Sequence, residues 1–184
     1  MDTKLAGKYE RKRYFCADES RFGLHTILRR LITKVGVKPS RPAQMLFKAF
    51  WLYGAVEPAT GESVFWHYSH VDTKCFQHFI NDLAKRFPDS LNFLQLDNAK
   101  FHKSKSLKIP ENIVLLFQPP YSPELNPIER MWGHIKQFLA WDLFDNLEQL
   151  HQKVDEVLLS LTSEVISSVT GFEFILDALS VASF

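Results

Sequence analysis

Three acids stand where a carboxylate can do more than face water. Asp18 follows the apolar run 14–17, Asp97 follows the apolar run 93–96, and Glu129 falls in the first turn of a helix that begins after a Pro-rich loop. If the two runs are strands of an open α/β sheet, groups at their carboxyl ends converge on one edge of it. Like charges gathered there cannot all stay ionised without a counter-ion. A divalent cation supplies it: carboxylate oxygens suit Mg²⁺, with Mn²⁺ as a substitute, whereas Zn²⁺ recruits His or Cys. Two such ions about 3.5–4 Å apart stabilise both the attacking and the leaving oxygen of an in-line phosphoryl displacement. That is the chemistry of phosphodiester cleavage or transfer. A plainer reading stays open at this point, because Asp18 and Asp97 can simply end strands. Glu129 can simply favour its helix N-terminus through the dipole.

The elements that must position these acids are legible in outline. Tyr14-Phe15-Cys16-Ala17 reads as a short buried strand ending at Asp18-Glu19. Residues 24–34 have the composition of a short basic helix, and 36–40 read as a loop. Residues 46–56 and 63–68, joined by the Pro/Gly segment 57–62, form a hairpin. Asp72-Thr73 can cap a helix to about Arg86, with Phe76, Phe79, Ile80, Leu83 and Phe87 on one face. Strands follow at 93–96 and 113–117. The loop 119–127 leads to a helix from about Pro127 to Trp141, then one at 147–161 and another from Ser163 to about Leu179. Alternating strands and helices after a hairpin predict an α/β domain with a mixed central sheet flanked by helices.

Composition agrees with a folded chain of one domain. It has 184 residues, 46% of them hydrophobic, with 16 Phe, 5 Tyr and 4 Trp, and a formal net charge of +1, which excludes a disordered chain. Two cysteines, Cys16 and Cys75, cannot build a disulfide framework or a four-Cys metal site and suit small apolar positions in a reducing compartment. The histidines at 25, 67, 70, 78, 134 and 151 show no metal-ligand spacing and read as structural or exposed. The start lacks the apolar stretch of a signal peptide and no run approaches a membrane span, so the expected location is the cytoplasm, without membrane contact. The charge is uneven: residues 142–184 hold eight acids against Lys153 alone, so the remainder is basic. A polyanionic partner is one reading of that asymmetry, and a solvated basic face is the other.

Three segments carry a resemblance. Residues 17–22 (ADESRF), 96–103 (LDNAKFHK) and 118–132 (QPPYSPELNPIERMW) closely resemble, in that order, the signature motifs of mariner-related DDE transposases in their bacterial insertion-sequence branch. The likeness runs from about residue 12 to about 160. It implies a ribonuclease H-like fold over 1–184, with C-terminal helices at about 147–180. It also implies that Asp18, Asp97 and Glu129 are the catalytic and metal-binding triad; 31 residues separate the last two. The implied activity is Mg²⁺-dependent cleavage at transposon ends and transfer of the freed 3′-OH into target DNA, by a dimer or larger assembly on double-stranded DNA associated with the nucleoid. Such proteins usually carry N-terminal helix-turn-helix modules. This chain starts almost at the first strand, so the expectation is a catalytic part joined by frameshifting to a separate end-reading part, or a shortened copy. A nuclease that cuts without joining and a non-catalytic DNA-binding remnant are the alternatives.

Neighbouring residues have expected roles as well. Lys100, His102, Lys103, Lys105 and Arg130 are candidate DNA contacts; a solvated loop with His102 capping a helix is the structural alternative. Glu19, next to Asp18 on an extended backbone, points to the opposite face. Asn98 can bond a phosphate or close a turn. Asn126 and Pro127 look like an N-cap and a first helical residue. Trp132 reads as core packing on the face of Glu129, and Phe172, Phe174, Ile175 and Leu179 as core or a partner contact.

Overall fold

The computed structural model describes residues 8–182 except 31 and 39. Five strands form one sheet: β1 (Arg11–Gly23), β2 (Ala49–Val56), β3 (Ser63–Tyr68), β4 (Ser90–Leu96) and β5 (Ile113–Phe117), in the order β3-β2-β1-β4-β5. The hairpin partners β1, β2 and β3 run antiparallel, whereas β1–β4 and β4–β5 are parallel. The helices are α1 (Thr73–Arg86), α2 (Ile128–Gln137), α3 (Leu147–Ser160), α4 (Ser163–Thr170) and α5 (Glu173–Val181). No helix among the described residues is long and apolar enough to cross a membrane.

Each face of the sheet buries its own apolar set. On one face α1 contributes Phe76, Phe79, Ile80 and Leu83, packed on Phe15, Ala17, Tyr53, Leu94 and Leu96. Each Phe, Ile or Leu side chain so buried stabilises the fold by about 1.5–3 kcal/mol. Asp72 starts α1 as expected, its carboxylate accepting from the Cys75 N–H at 2.8 Å. On the other face α2, α3 and α4 cover Cys16, Phe22, Phe50 and Leu52 with Met131, Trp132, Ile135, Val154 and Ile166. Strand alternation divides β1 between the two: residues 15 and 17 face α1, residues 16 and 22 face α2.

Four expectations need correction. The first strand does not stop at residue 17. Its antiparallel pairing with β2 continues to Gly23, so Asp18 and Glu19 lie inside it. The parallel pairing with β4, by contrast, ends at Cys16 opposite Gln95. The two strands part there and leave a notch beside Asp18. No helix forms among the described residues of 24–34: Leu24 and Thr26 bond to Lys48 and Gln44, and Ile27 bridges Ala140. This extended path inserts Leu24 and Ile27 into the core, a gain that overrides local helix preference. The helix after the Pro-rich loop ends at Gln137 rather than 141, and its preceding Asn126 gives no side-chain cap; that amide bonds the Ala17 carbonyl at 3.0 Å instead. The last helix is two, broken at Gly171-Phe172, because the backbone turns back close to the Ser167 and Pro58 carbonyls, where a β-carbon would not fit.

Candidate active site

A cleft of about 480 Å³ opens at the notch between β1 and β4, lined by Asp18, Asp97 and Glu129 together with Asn98 and the loop 118–123. All three acids singled out by sequence meet there. Asp18 comes from inside β1, Asp97 from the residue after β4, and Glu129 from the first turn of α2.

Each acid is held differently. The Trp132 indole N–H donates to Asp18 Oδ2 at 2.8 Å. Trp132 is therefore more than packing: its ring lies in the core and its nitrogen aims at the site. Gly54, the β2 partner of Asp18, makes room for it, since a β-carbon there would come within 2.6 Å of the indole and 2.8 Å of Phe65. Asp97 Oδ1 accepts from the Ala99 N–H at 2.8 Å and from His102 Nδ1 at 2.9 Å. His102 Nε2 in turn bonds Glu19 Oε1 at 3.1 Å. Glu129 is the most exposed of the three, though partly desolvated. Seven residues on, along the same helix face, Lys136 turns its ammonium back toward the acids and donates to Ser20 Oγ at 2.7 Å.

The acids repel. Burial, then the charges of Glu19 and Glu129, push Asp18 up to about 7, against the opposing Trp132 bond. Glu129 is raised by burial and by Asp97, with Lys136 opposing. Burial lowers Lys136, and Glu129 and Asp18 pull it back. Burial alone would lower His102 as well, but its bond to Glu19 and the charges of Glu19 and Asp97 hold it above its usual value. Only an imidazolium donates from both ring nitrogens, as two carboxylate partners require. A hard divalent cation suits this donor set: three carboxylates with mutual repulsion, and no His or Cys among the described residues lining the cleft.

Of the expected DNA contacts, Lys100, Lys103, Lys105 and Arg130 are exposed. Lys103 bonds the Asn98 side chain and lies 4.8 Å from the centre of the Phe117 ring. Arg130 stacks on Phe172 at 3.8 Å. His102 is corrected: it is 1% exposed with both nitrogens taken by carboxylates, so it neither meets a phosphate nor caps a helix. Asn98 closes the loop by donating to the Gln118 carbonyl at 2.6 Å. Glu19 does face away from Asp18, as expected, yet reaches Asp97 through His102. Sequence reasoning missed that link, along with Lys136 and Gly54. The seven-residue step from Glu129 to Lys136, two helical turns, was the available signal for the second. At the rim Tyr121 is fully exposed with φ of 59°, the left-handed region. Apart from the cleft, His70, Asp72 and Cys75 cluster at the start of α1, and His67 meets His151 at 2.7 Å over the Phe50 ring.

Comparison with known proteins gives the family and the fold. The family described as DDE superfamily endonuclease matches residues 13–151. The uncharacterized protein y4pE/y4sA of Sinorhizobium fredii (strain NBRC 101917 / NGR234) is 37% identical over 87 residues, 47% of this chain and 64% of its own length. The transposable element Tcb2 transposase of Caenorhabditis briggsae is 31% identical over 78 residues, 41% of this chain and 29% of that protein. Among solved structures, the Mos1 strand transfer complex has a TM-score of 0.67 at 16% identity, covering 86% of this chain and 50% of that one. The Mos1 mariner paired end complex with Mn gives 0.67 at 17% over 86% and 52%. The corresponding complex with Mg gives 0.63 at 16% over 86% and 51%. The fold is thus the ribonuclease H-like one of those catalytic domains. The chain spans about half the length of these structural relatives.

Proposed function

Because this chain belongs to the DDE superfamily of endonucleases, we propose that it is the catalytic part of a transposase. In this reading it cuts phosphodiester bonds at the ends of a mobile DNA element and joins the freed 3′-OH to target DNA. The observation that carries the reading is the cleft in which Asp18, Asp97 and Glu129 meet from three separate segments. These three residues would hold Mg²⁺ or Mn²⁺, in a pair. When bound, such ions polarise the scissile phosphate and ease deprotonation of the attacking water or hydroxyl.

The chain's own residues do the rest. Trp132 fixes Asp18, and the Ala99 N–H and His102 fix Asp97. Lys136 offsets part of the negative charge beside Asp18 and Glu129. Four prolines at 119, 120, 123 and 127 stiffen the wall of the cleft and the entry to α2. Lys100, Lys103 and Lys105, exposed just past Asp97, meet DNA phosphates, and Arg130 extends that surface from α2. The likeness to the Mos1 strand transfer complex and to the Mos1 paired end complexes with Mn and with Mg supports DNA as substrate, a divalent cation and assembly of more than one copy. Assembly is also supported by exposed Leu28, Met45 and Phe47 on the long segment between β1 and β2, which carries Arg29, Arg30, Lys34, Lys38 and Arg41 as well.

The test is an end-nicking and strand-transfer assay with Mg²⁺ on duplex DNA carrying the element's ends. The wild type yields nicked ends and then joined products. Asp97→Asn and Glu129→Gln lose both by at least about a hundredfold, the scale of removing one group that stabilises transition-state charge. Full activity in Asp97→Asn overturns the triad mechanism. Nicked ends that never join overturn the transfer step and leave a nuclease.

A further inference from the structure

We propose that Glu19 and His102 form a buried positioning bridge that orients Asp97 for the divalent cation. The inference rests on the reading of the cleft as a cation site and adds two residues that do not line it. Asp97 sits where β4 ends, and its side chain is 47% exposed. The terminal torsion of an Asp is soft, so a carboxylate in that position rotates unless something holds it. Two donors fall on one oxygen: the Ala99 N–H and His102 Nδ1. The backbone donor is local. The imidazole is not, because its other nitrogen is anchored to Glu19, 83 residues away on the central strand.

The bridge is rigid for identifiable reasons. The His102 side chain has no exposed surface and that of Glu19 has 7%. The imidazole packs between Phe76 and Phe101, with ring centres 4.4 and 4.1 Å away, so it cannot swing without opening the α1 face. Burying a carboxylate opposite Tyr53, on the α1 face, costs free energy unless it is paired. Apolar side chains of similar volume would fill the same space with equal or greater stability. What a charged pair adds there is direction: it sets the plane of one carboxylate at the mouth of the cleft. Groups that bond to metal ligands in this way typically alter metal affinity by about 10–100-fold when removed.

Mn²⁺ binding to the full chain without DNA, followed by the electron paramagnetic resonance of the free and bound ion, tests this. His102→Gln keeps one amide donor but cannot donate to both carboxylates. It is expected to bind Mn²⁺ about 10–100-fold more weakly while folded, with an altered bound-ion spectrum. Glu19→Gln still accepts from Nε2 but loses the charge, and a smaller loss in the same direction is expected. A residue that only fills space would lower the unfolding temperature and leave the affinity of the folded protein alone. Asp97→Asn is the control. If it binds Mn²⁺ like the wild type, the cation reading of the cleft fails. If it loses binding while folded His102→Gln and Glu19→Gln both stay within about threefold of wild type, the bridge is overturned and the cation reading stands. Should His102→Gln not fold, Glu19→Gln decides by the same criterion.

Discussion

Asp18→Asn should make the metal-free protein more stable at neutral pH, not less. The ordinary value for this carboxyl is 3.8, and burial with the charges of Glu19 and Glu129 pushes it up to about 7. The folded state therefore holds this proton through a pH window in which the unfolded chain has released it. By linkage, stability from this group is full below about pH 4, falls as pH rises to about 7, and is flat above. The whole shift corresponds to about 4 kcal/mol as an upper bound. An asparagine keeps the acceptor for the Trp132 indole and has no charge to bury. Urea unfolding in EDTA at pH 4, 5.5, 7 and 8 measures the difference between variant and wild type, in which titrating groups not coupled to Asp18 cancel. It should start near zero and rise to about 2–4 kcal/mol in favour of Asp18→Asn above pH 7. Mn²⁺ should then offset most of that difference. At a hundred times its dissociation constant it adds about 2.7 kcal/mol to the wild type and little to the variant. A difference that stays flat across pH, or a wild type that is the more stable at pH 8 without metal, would refute the account of a strained carboxylate cluster.

Two further substitutions probe the supports of the cleft. Gly54→Ala drives a methyl to 2.6 Å from the Trp132 ring, so thermal unfolding should show a loss of about 1–3 kcal/mol and Mn²⁺ binding should weaken because the Asp18 partner moves. Tyr121→Gly relieves a left-handed backbone at a fully exposed residue, so stability should hold or rise by about 1 kcal/mol, while strand-transfer activity falls if the ring touches DNA.

The three acids were legible because each stands beside a local signal: an apolar run that ends, or a proline-led helix start. Their supports were not, because they depend on residues far apart in the chain. Nothing near Glu19 announces that His102 will lie against it, since that contact needs β1 and the loop after β4 to be neighbours. The basic segment 24–34 misled for a related reason. Its charges suit a solvated helix, but Leu24 and Ile27 gain more by entering the core beside Leu139. The hairpin and α1 were read correctly because turn residues and a buried face repeat within a few positions. Gly171 was visible in the sequence, yet only the approach of the Pro58 carbonyl explains why the last helix breaks there.

The placement of Asp18 and Glu19 side by side on β1 follows from the pleat of that strand. Successive side chains leave opposite faces of a sheet, so the first acid enters the cleft on the α2 side while the second enters the α1 side and reaches Asp97 from behind through His102. One dipeptide thereby serves two of the three acids, once directly and once through a partner. The arrangement is sensitive to register: a slip of one residue in β1 would send Glu19 toward Trp132 and Asp18 toward the imidazole, exchanging the carboxylate in the cleft for the one behind it. The β1–β2 pairing resists such a slip. Gly54 lies opposite Asp18, where only glycine leaves space for the indole, and Tyr53 lies opposite Glu19 on the α1 face. The same pairing thus holds both the sheet and the site in register, and a change to either strand near these positions should be felt at the cleft before it is felt in the fold.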